Sequence, residues 1–437
     1  MSLGTRLYPM RLPRPSDRVW PACWVRLVRL VRLVCLALLA TGIDLAPLHA
    51  EIHAGLFKHH LIAKELPGNN DYGYGSPALA DFDGDGDLDF AVLNRNDKIY
   101  WFENEGADNW TRRVLGPVSG GQLGGAALDI DRDGRVDLVI GGHWYRNPQD
   151  PRRQEFSRHT YDSKIQNEIH DIVTADMDGD GAQDIVVLGD GDGCLWYKIP
   201  ANPAADQDWP RTTVTLDVLD ENDDIHGGIQ TNGVGDLDGD GDADVVLTDR
   251  WYENRGGGRD WSRHGLPFGS RGPWGLSSRS WIADLDGDGD NDLFMVHGDQ
   301  QNSGAAWLEN NGQNPPRFEP HFLANQAPGT RGSFHSLALA DFDHDGDLDA
   351  LTVEQEDDSI LPVGAGPRWF IFENLGGPGV RFEERVILDA GLGGHDVKVG
   401  DIDGDGDLDI ASKIWNRWPG NSNGGRFHAD FLENLLQ

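Results

Sequence analysis

One nine-residue pattern, Asp-x-Asp-x-Asp-Gly-x-x-Asp, recurs seven times in this chain, starting at Asp81, Asp129, Asp176, Asp236, Asp284, Asp341 and Asp401. Each copy runs into a β-branched or aliphatic stretch, and successive copies start 47 to 60 residues apart. That period is the length of one four-stranded unit with variable loops. The chain is therefore a repeat array, either blades of a ring or coils of a solenoid. With 57 Gly and 15 Trp in 437 residues, tight turns between short aromatic strands are expected and a mostly helical body is not.

The positions that vary say what the loop is for. Positions 1, 3, 5 and 9 are Asp in every copy and position 6 is always Gly, whereas position 7 is Asp in five copies, Arg135 in the second and Ala182 in the third. An EF-hand-like calcium loop takes side-chain oxygens from positions 1, 3 and 5 and turns sharply at a glycine in position 6. At position 7 it uses a backbone carbonyl, for which the side chain is irrelevant. The closing ligand here is Asp at position 9, so the loop is shorter than an EF-hand and need not lead into a helix.

The expected metal ligands are Asp81, Asp83, Asp85, Asp87 and Asp89 in the first loop and Asp129, Asp131, Asp133, Arg135 and Asp137 in the second. The third and fourth loops offer Asp176, Asp178, Asp180, Ala182 and Asp184, then Asp236, Asp238, Asp240, Asp242 and Asp244. The fifth offers Asp284, Asp286, Asp288, Asp290 and Asp292, the sixth Asp341, Asp343, Asp345, Asp347 and Asp349, and the seventh Asp401, Asp403, Asp405, Asp407 and Asp409. Asp-Gly runs also make ordinary turns. Carboxylates crowded this closely, however, repel one another unless a cation lies between them, so up to seven Ca²⁺ are expected. The 73 acidic against 37 basic side chains leave a formal charge of −36, which repels nucleic acid and anionic membranes.

Residues 1–50 are different in kind, with seven Arg, only Asp17 and Asp44 as acids, and an uncharged stretch at 33–43 too short to span a bilayer. They read as a secretory signal cleaved near Ala50, leaving residues 51–437 as one domain that is secreted, periplasmic or at the cell surface, without membrane insertion. The alternative is an uncleaved amphipathic anchor. Cleavage would remove Cys23 and Cys35 and leave Cys194 without an intrachain partner. An exported chain of this kind needs something other than disulfides to staple it.

Each unit reads as four short strands, in the first at 78–80, 90–93, 99–102 and 111–115. The third strand recurs as Trp101-Phe102-Glu103-Asn104, Trp144-Tyr145-Arg146-Asn147, Trp251-Tyr252-Glu253-Asn254, Trp307-Leu308-Glu309-Asn310 and Phe431-Leu432-Glu433-Asn434, whose aromatics suit inter-blade packing. The seventh unit has three strands of its own. Phe57-Lys58-His59-His60 matches the fourth-strand entries Phe156 to His159, Trp261 to His264 and Phe318 to His321. An N-terminal strand completing the last blade closes a ring and removes an exposed sheet edge, which a solenoid would not need. The expected fold is an all-β, seven-bladed β-propeller. The Asp-x-Asp-Gly-Asp-Gly-Asp loops together with the aromatic-Glu-Asn strands resemble the FG-GAP/VCBS repeat family, which includes the integrin α-subunit propeller. The resemblance spans about residues 55–437. It implies a calcium-binding propeller, and the family includes adhesion modules, lectin-like propellers and carbohydrate-active enzymes such as polysaccharide lyases.

In an antiparallel blade the acidic hairpins lie on one face, so the long segments, among them 65–77, 161–170, 216–231, 267–280, 324–336, 354–367 and 416–426, lie on the other. Six residues before the first loop Asp, at the channel mouth, stand His170, His335 and His395, with Gln230 in the fourth unit and Asp171 and Asp396 adjoining. Arg95, His143, Asp249, Arg250, His297, Glu354 and Lys413 stand on neighbouring second-strand ends, and Trp418, Arg417, Arg426 and His428 offer a sugar-stacking wall or simply a packed loop. Such a funnel would be solvated polar surface, a site for a second divalent metal, or a base with Lys413 or Arg417 stabilising an enolate. Two functions are therefore carried forward. One is a binding module for carbohydrate or an extracellular protein; the other is a sugar lyase or dehydratase using His170, His335, His395 and Lys413. No nucleophile elbow, phosphate loop, zinc-protease helix or dinucleotide fingerprint is present.

Overall fold

The hydrophobic pattern of each unit changes across its strands, and that change builds the architecture. The second strand of the first unit, Asp89–Asn94, is buried along its whole length, while its fourth strand, Trp110–Pro117, is half-buried or exposed except at Leu115 and Gly116. A strand covered on both faces belongs between two other sheets, and a half-covered strand belongs at the rim. The computed structural model describes residues 52–436 except 69–72, 119–121, 166, 220–223, 357–366 and 378–379. The segment 1–50 with the cleavage point at Ala50, and much of the 354–367 loop, lie outside the described residues.

Seven antiparallel sheets stand in a ring, one per acidic loop, over residues 74–117, 125–160, 169–215, 234–265, 278–322, 338–388 and, for the seventh, 395–434 with 57–63. These are blades 1 to 7. Phe57–Ala63 pairs antiparallel with Ala429–Asn434, from Phe57 opposite Asn434 to Ala63 opposite Ala429, so the N-terminal strand closes the last blade as expected. Side chains reinforce the closure: His60 Nε2 lies 2.7 Å and Lys58 Nζ 3.0 Å from Glu433 Oε2. The apolar residues form seven buried clusters, and each draws on two neighbouring blades. The core is thus a circle of interfaces.

Third-strand aromatics fill those interfaces, with Trp101, Trp144, Trp251 and Trp369 fully buried. The fourth-strand histidines lie flat on them, His159 on Trp144, His264 on Trp251 and His321 on Trp307, at centroid separations of 4.6, 4.5 and 4.5 Å. In blades 4 and 5 the same imidazoles reach the third-strand acid, His264 to Glu253 and His321 to Glu309, both at 2.7 Å.

The loops are joined to the ring by a repeated clamp. The position-9 carboxylate accepts the backbone N–H of position 2 with one oxygen and that of the third-strand Asn with the other, as Asp89 does from Phe82 (3.0 Å) and Asn104 (2.9 Å). The Asn side chain then donates to the position-2 carbonyl of the preceding blade or its ring neighbour: Asn147 to Phe82 (2.7 Å), Asn254 to Met177 (3.1 Å), Asn434 to Phe342 (3.0 Å) and Asn104 to Ile402 (2.8 Å). Blade 3 has Ile199 where the others have Asn. Among the described residues no helix is long and apolar enough to cross a membrane, and Cys194 is buried and unbridged.

Removing one buried donor leaves a carbonyl unsatisfied at a blade junction, which costs about 1–3 kcal/mol. Asn254→Ala should therefore lower the unfolding free energy by about that amount in a urea titration. A change indistinguishable from that of an exposed asparagine would show that the clamp contributes nothing.

Candidate functional site

Two constellations of ionisable residues lie on opposite faces. On the first face, each acidic loop is wound around its own position-1 carboxylate: in the first loop Asp81 accepts from the backbone N–H groups of Gly84 (2.7 Å), Asp85 (3.2 Å) and Gly86 (3.1 Å). Gly86 sits at φ +106°, a conformation that a side chain would strain. The winding brings the remaining oxygens together. Ligand atoms of Asp81, Asp83 and Asp85 lie within 4.8 Å of one another, as do those of Asp236, Asp238 and Asp240, and of Asp129, Asp131 and Asp137. Asp238 Oδ2 and Asp407 Oδ2 are buried without a hydrogen-bond partner. Converging hard oxygens with unpartnered atoms among them fit a divalent cation of the calcium type.

On the opposite face the three histidines predicted at the channel mouth do converge. His170 and His395 open the first strands Ile169–Ala175 and His395–Gly400, and both strands carry a bulge there, where pairing slips between Ile169 and Asp171 and between His395 and Lys398. A bulge re-aims the side chains beside it, and Asp396 adopts a left-handed φ of +61° in consequence. His335 stacks on His395 at 3.7 Å and lies 6.0 Å from His170. The series continues at both ends, through His226 to Trp274 on one side and to Trp415 on the other, with His395 and Trp415 stacked at 5.3 Å. This belt of six rings lines a cavity of about 310 Å³ together with Glu168, Gln230, Asp299, Gln355 and Asp396.

Charges are paired behind the rings. Asp171 accepts from the N–H groups of Gly228 (2.6 Å), Ile229 (3.0 Å) and Gln230 (3.2 Å) while His170 Nδ1 lies 2.7 Å from its other oxygen, so one carboxylate ties blade 3 to the entry of blade 4. His395 Nδ1 is 2.7 Å from Asp396 Oδ2 and 3.2 Å from Lys413 Nζ. Burial by itself would raise the Asp396 carboxyl, but His395 and the Lys413 ammonium hold it well below the carboxylate range. Burial, with Lys413 and His335 adding to it, keeps His395 well below the usual imidazole value against the pull of Asp396. Arg279 Nη2 lies 2.8 and 2.9 Å from the two nitrogens of His335, and burial and that guanidinium lower this imidazole also. Ligand atoms of His335, His395 and Asp396 fall within 4.8 Å of one another, close enough to share one ion, although Arg279 and Lys413 press on the same nitrogens.

Several expected members of the funnel serve elsewhere. Glu354 is buried in an ion pair with Arg368 (3.0 Å), Arg250 is buried beside Asp249 (2.6 Å), and His143 bonds Thr160 (3.2 Å). Arg95 pairs with Glu168 at the rim and lies over the Trp415 ring. The stacking wall is Trp415, outside the cavity lining stand Trp418 and Arg417, which lies over Phe427, and His428 is fully buried against Asp430 (2.7 Å). His226, Trp274, Asp299, Gln355 and Arg279 were not anticipated. They come from loops or from positions outside the six-before-Asp register, which is the signal the repeat alignment provides.

The FG-GAP-like repeat family matches residues 81–140, 236–295 and 284–352. The fold is a seven-bladed β-propeller, and three stretches of it match the FG-GAP-like repeat. Among curated proteins no sequence is similar enough to count as a match. A solved structure of BBS1N in complex with ARL6DN is 9% identical, covering 86% of this chain and 98% of its own at a TM-score of 0.50. An Agrocybe aegerita lectin described as recognising non-reducing terminal N-acetylglucosamine is 20% identical over 75% of this chain and 83% of its own, at a TM-score of 0.49. At these identities the likeness to BBS1N concerns the fold alone.

His297, expected in the funnel, is instead stacked on Phe268 at 4.2 Å, and burial pushes its imidazole down to about 4. The unfolded chain takes up this proton near pH 6.5, so it binds more protons than the native state between about pH 6.5 and 4. Stability should fall as pH drops through that window, and His297→Phe should flatten the slope. An unchanged pH dependence of the melting temperature would contradict the assignment.

Proposed function

We propose that this protein is an exported, calcium-stapled propeller that binds a saccharide unit in its axial pocket, on the face opposite the acidic loops. The observation that carries the reading is the ring-lined cavity of about 310 Å³, a volume suited to a small polar ring. A sugar presents apolar C–H faces and a rim of hydroxyls. The indoles of Trp274 and Trp415 suit the faces, and His170, Gln230, Asp299, Gln355 and Asp396 suit the hydroxyls. Export is inferred from residues 1–50. Calcium, held by the loop aspartates, would neutralise charge that the native ring otherwise confines.

A second reading, elimination on a sugar, is favoured by His395. With Nδ1–H donating to Asp396 and the ring kept neutral, Nε2 is left to take a proton from a carbon α to a carbonyl or carboxylate. The electron pair left behind forms the C=C bond as the β-oxygen departs with its own bonding pair, with Lys413 buried behind His395 adding positive charge to that side of the site.

A glycan array followed by calorimetry tests the binding reading. Trp415→Ala should weaken the best glycan about tenfold, the scale of one lost aromatic stack. Binding that survives both Trp415→Ala and Trp274→Ala would remove the pocket from the account. Appearance of an ultraviolet-absorbing unsaturated product, lost in His395→Ala, would select the second reading. Chelation should lower the melting temperature by about 10 °C or more, since ions bound only by the native chain stabilise it by mass action. An unchanged melting curve would contradict the calcium assignment.

A further inference from the structure

The seven acidic loops do not carry the same charge. In blades 1, 4, 5, 6 and 7 the residue before the third-strand Asn, or its equivalent, is Glu103, Glu253, Glu309, Glu373 and Glu433. In blade 1 Arg152 pairs at once with Glu103, Asp83 and Asp85, which places the glutamate beside its loop. Five loop aspartates and one glutamate put six carboxylates at each of these sites, the glutamates Glu103, Glu373 and Glu433 being paired in turn with Arg113, Arg385 and Lys58.

Blades 2 and 3 depart at the same place. Arg146 occupies the glutamate position of blade 2, with Nε 2.5 Å from Asp131 Oδ2 and Nη2 3.1 Å from Asp133 Oδ2. Lys198 occupies it in blade 3, bonded to Asp178 and lying 2.7 Å from Asp180 Oδ2. These are also the two loops without Asp at position 7, where Arg135 and Ala182 stand, and Arg135 turns back onto Asp133. Loop 2 has four aspartates against Arg132, Arg135 and Arg146, a net of −1; loop 3 has four against Lys198, a net of −3. Losing a carboxylate and gaining a cation are separate changes, and they coincide in both loops.

We propose that Arg146 and Lys198 are built-in cations that replace calcium in the loops of blades 2 and 3, so that the propeller takes five calcium ions and not seven. The inference rests on the calcium reading above and refines it. The side-chain ligands at positions 1, 3, 5 and 9 are the same in all seven loops, so what differs is the charge around them, which draws a cation into five loops and opposes it in two. The carboxylates of loops 2 and 3 converge as the others do, but an ion entering there must displace a cation already paired with the position-3 and position-5 carboxylates. Arg152 reaches loop 1, 2.6 Å from Asp83 and 2.7 Å from Asp85, but it comes from the next blade and leaves all six carboxylates of that site in place. The two exceptional loops adjoin one another. Between them lies a cavity of about 460 Å³ lined by residues such as Asp129, Arg132, Asp180 and Ala182, and Ile199 replaces the clamping Asn there. One sector of the ring is thus held without metal while the rest depends on it.

The test is calcium stoichiometry of the protein, stripped with chelator and titrated with CaCl₂ in calorimetry, with native mass spectrometry as the count. The wild type should bind five ions. The double substitutions Arg146→Glu with Arg135→Asp, and Lys198→Glu with Ala182→Asp, should each raise the count to six, while Arg146→Lys and Lys198→Arg should leave it at five. Should a charge reversal fail to fold, Arg146→Met and Lys198→Met supply the second measurement: each should melt lower than wild type in chelator and regain the difference in calcium. Seven equivalent sites in the wild type, or folded double variants that stay at five, would overturn the proposal. No calcium binding at all would overturn the calcium reading beneath it, a result distinct from a count of seven.

Discussion

The structure depends on a buried carboxylate that accepts two backbone N–H groups and an asparagine that passes the connection on. At position 9 of each loop an aspartate joins its own loop to the third strand, and in six blades the asparagine beside it reaches a carbonyl of a neighbouring blade. Without this pairing the blades would meet only through apolar side chains, which are non-directional and set no angle between sheets. The hydrogen bonds supply direction. They also place the acidic loops at the ends of rigid strands, so that the carboxylates converge whatever the intervening segments do. Loop, clamp and inter-blade core are therefore one device, repeated with small changes around the ring.

The opposite face follows from the same geometry. Holding seven first strands around an axis forces whatever stands at their starts toward a common point. In blades 3, 6 and 7 that residue is histidine, and two bulges tip the adjoining aspartates behind the imidazoles. Aromatic rings at the surface of the cavity, with the carboxylates of Glu168, Asp299 and Asp396 among them, give a wall of flat apolar faces and hydrogen-bonding edges. A ring-shaped, hydroxylated ligand matches such a wall better than a phosphate or an apolar chain. The acidic loops are remote from it and act on it only through the rigidity of the blades.

Much of this was legible in the sequence because repetition converts one-dimensional spacing into rotation about an axis. The seven loops, the strand order, the wrap-around pairing of Phe57 with Asn434 and the convergence of His170, His335 and His395 are all consequences of register. What register does not encode was missed. His226 and Trp274 belong to connections between blades, and Arg279 comes one residue after the position equivalent to His335, so counting from the loop passes it by. His297 and Glu354 do sit at strand ends, but a stacked phenylalanine and a paired Arg368 draw them away from the axis. Arg146 and Lys198 were visible as letters, and only the contacts with Asp131 and Asp180 show that they enter the loops.

The central claim, that the axial mouth is the working surface of a metal-stapled ring, is tested most directly by a crystal structure of the protein soaked with the tightest glycan in millimolar calcium. The account predicts difference density for one sugar ring between Trp274 and Trp415, within hydrogen-bonding reach of His395 or Asp396. Sugar density on the acidic-loop face or along the outer strands, with the axial cavity unchanged, would contradict it.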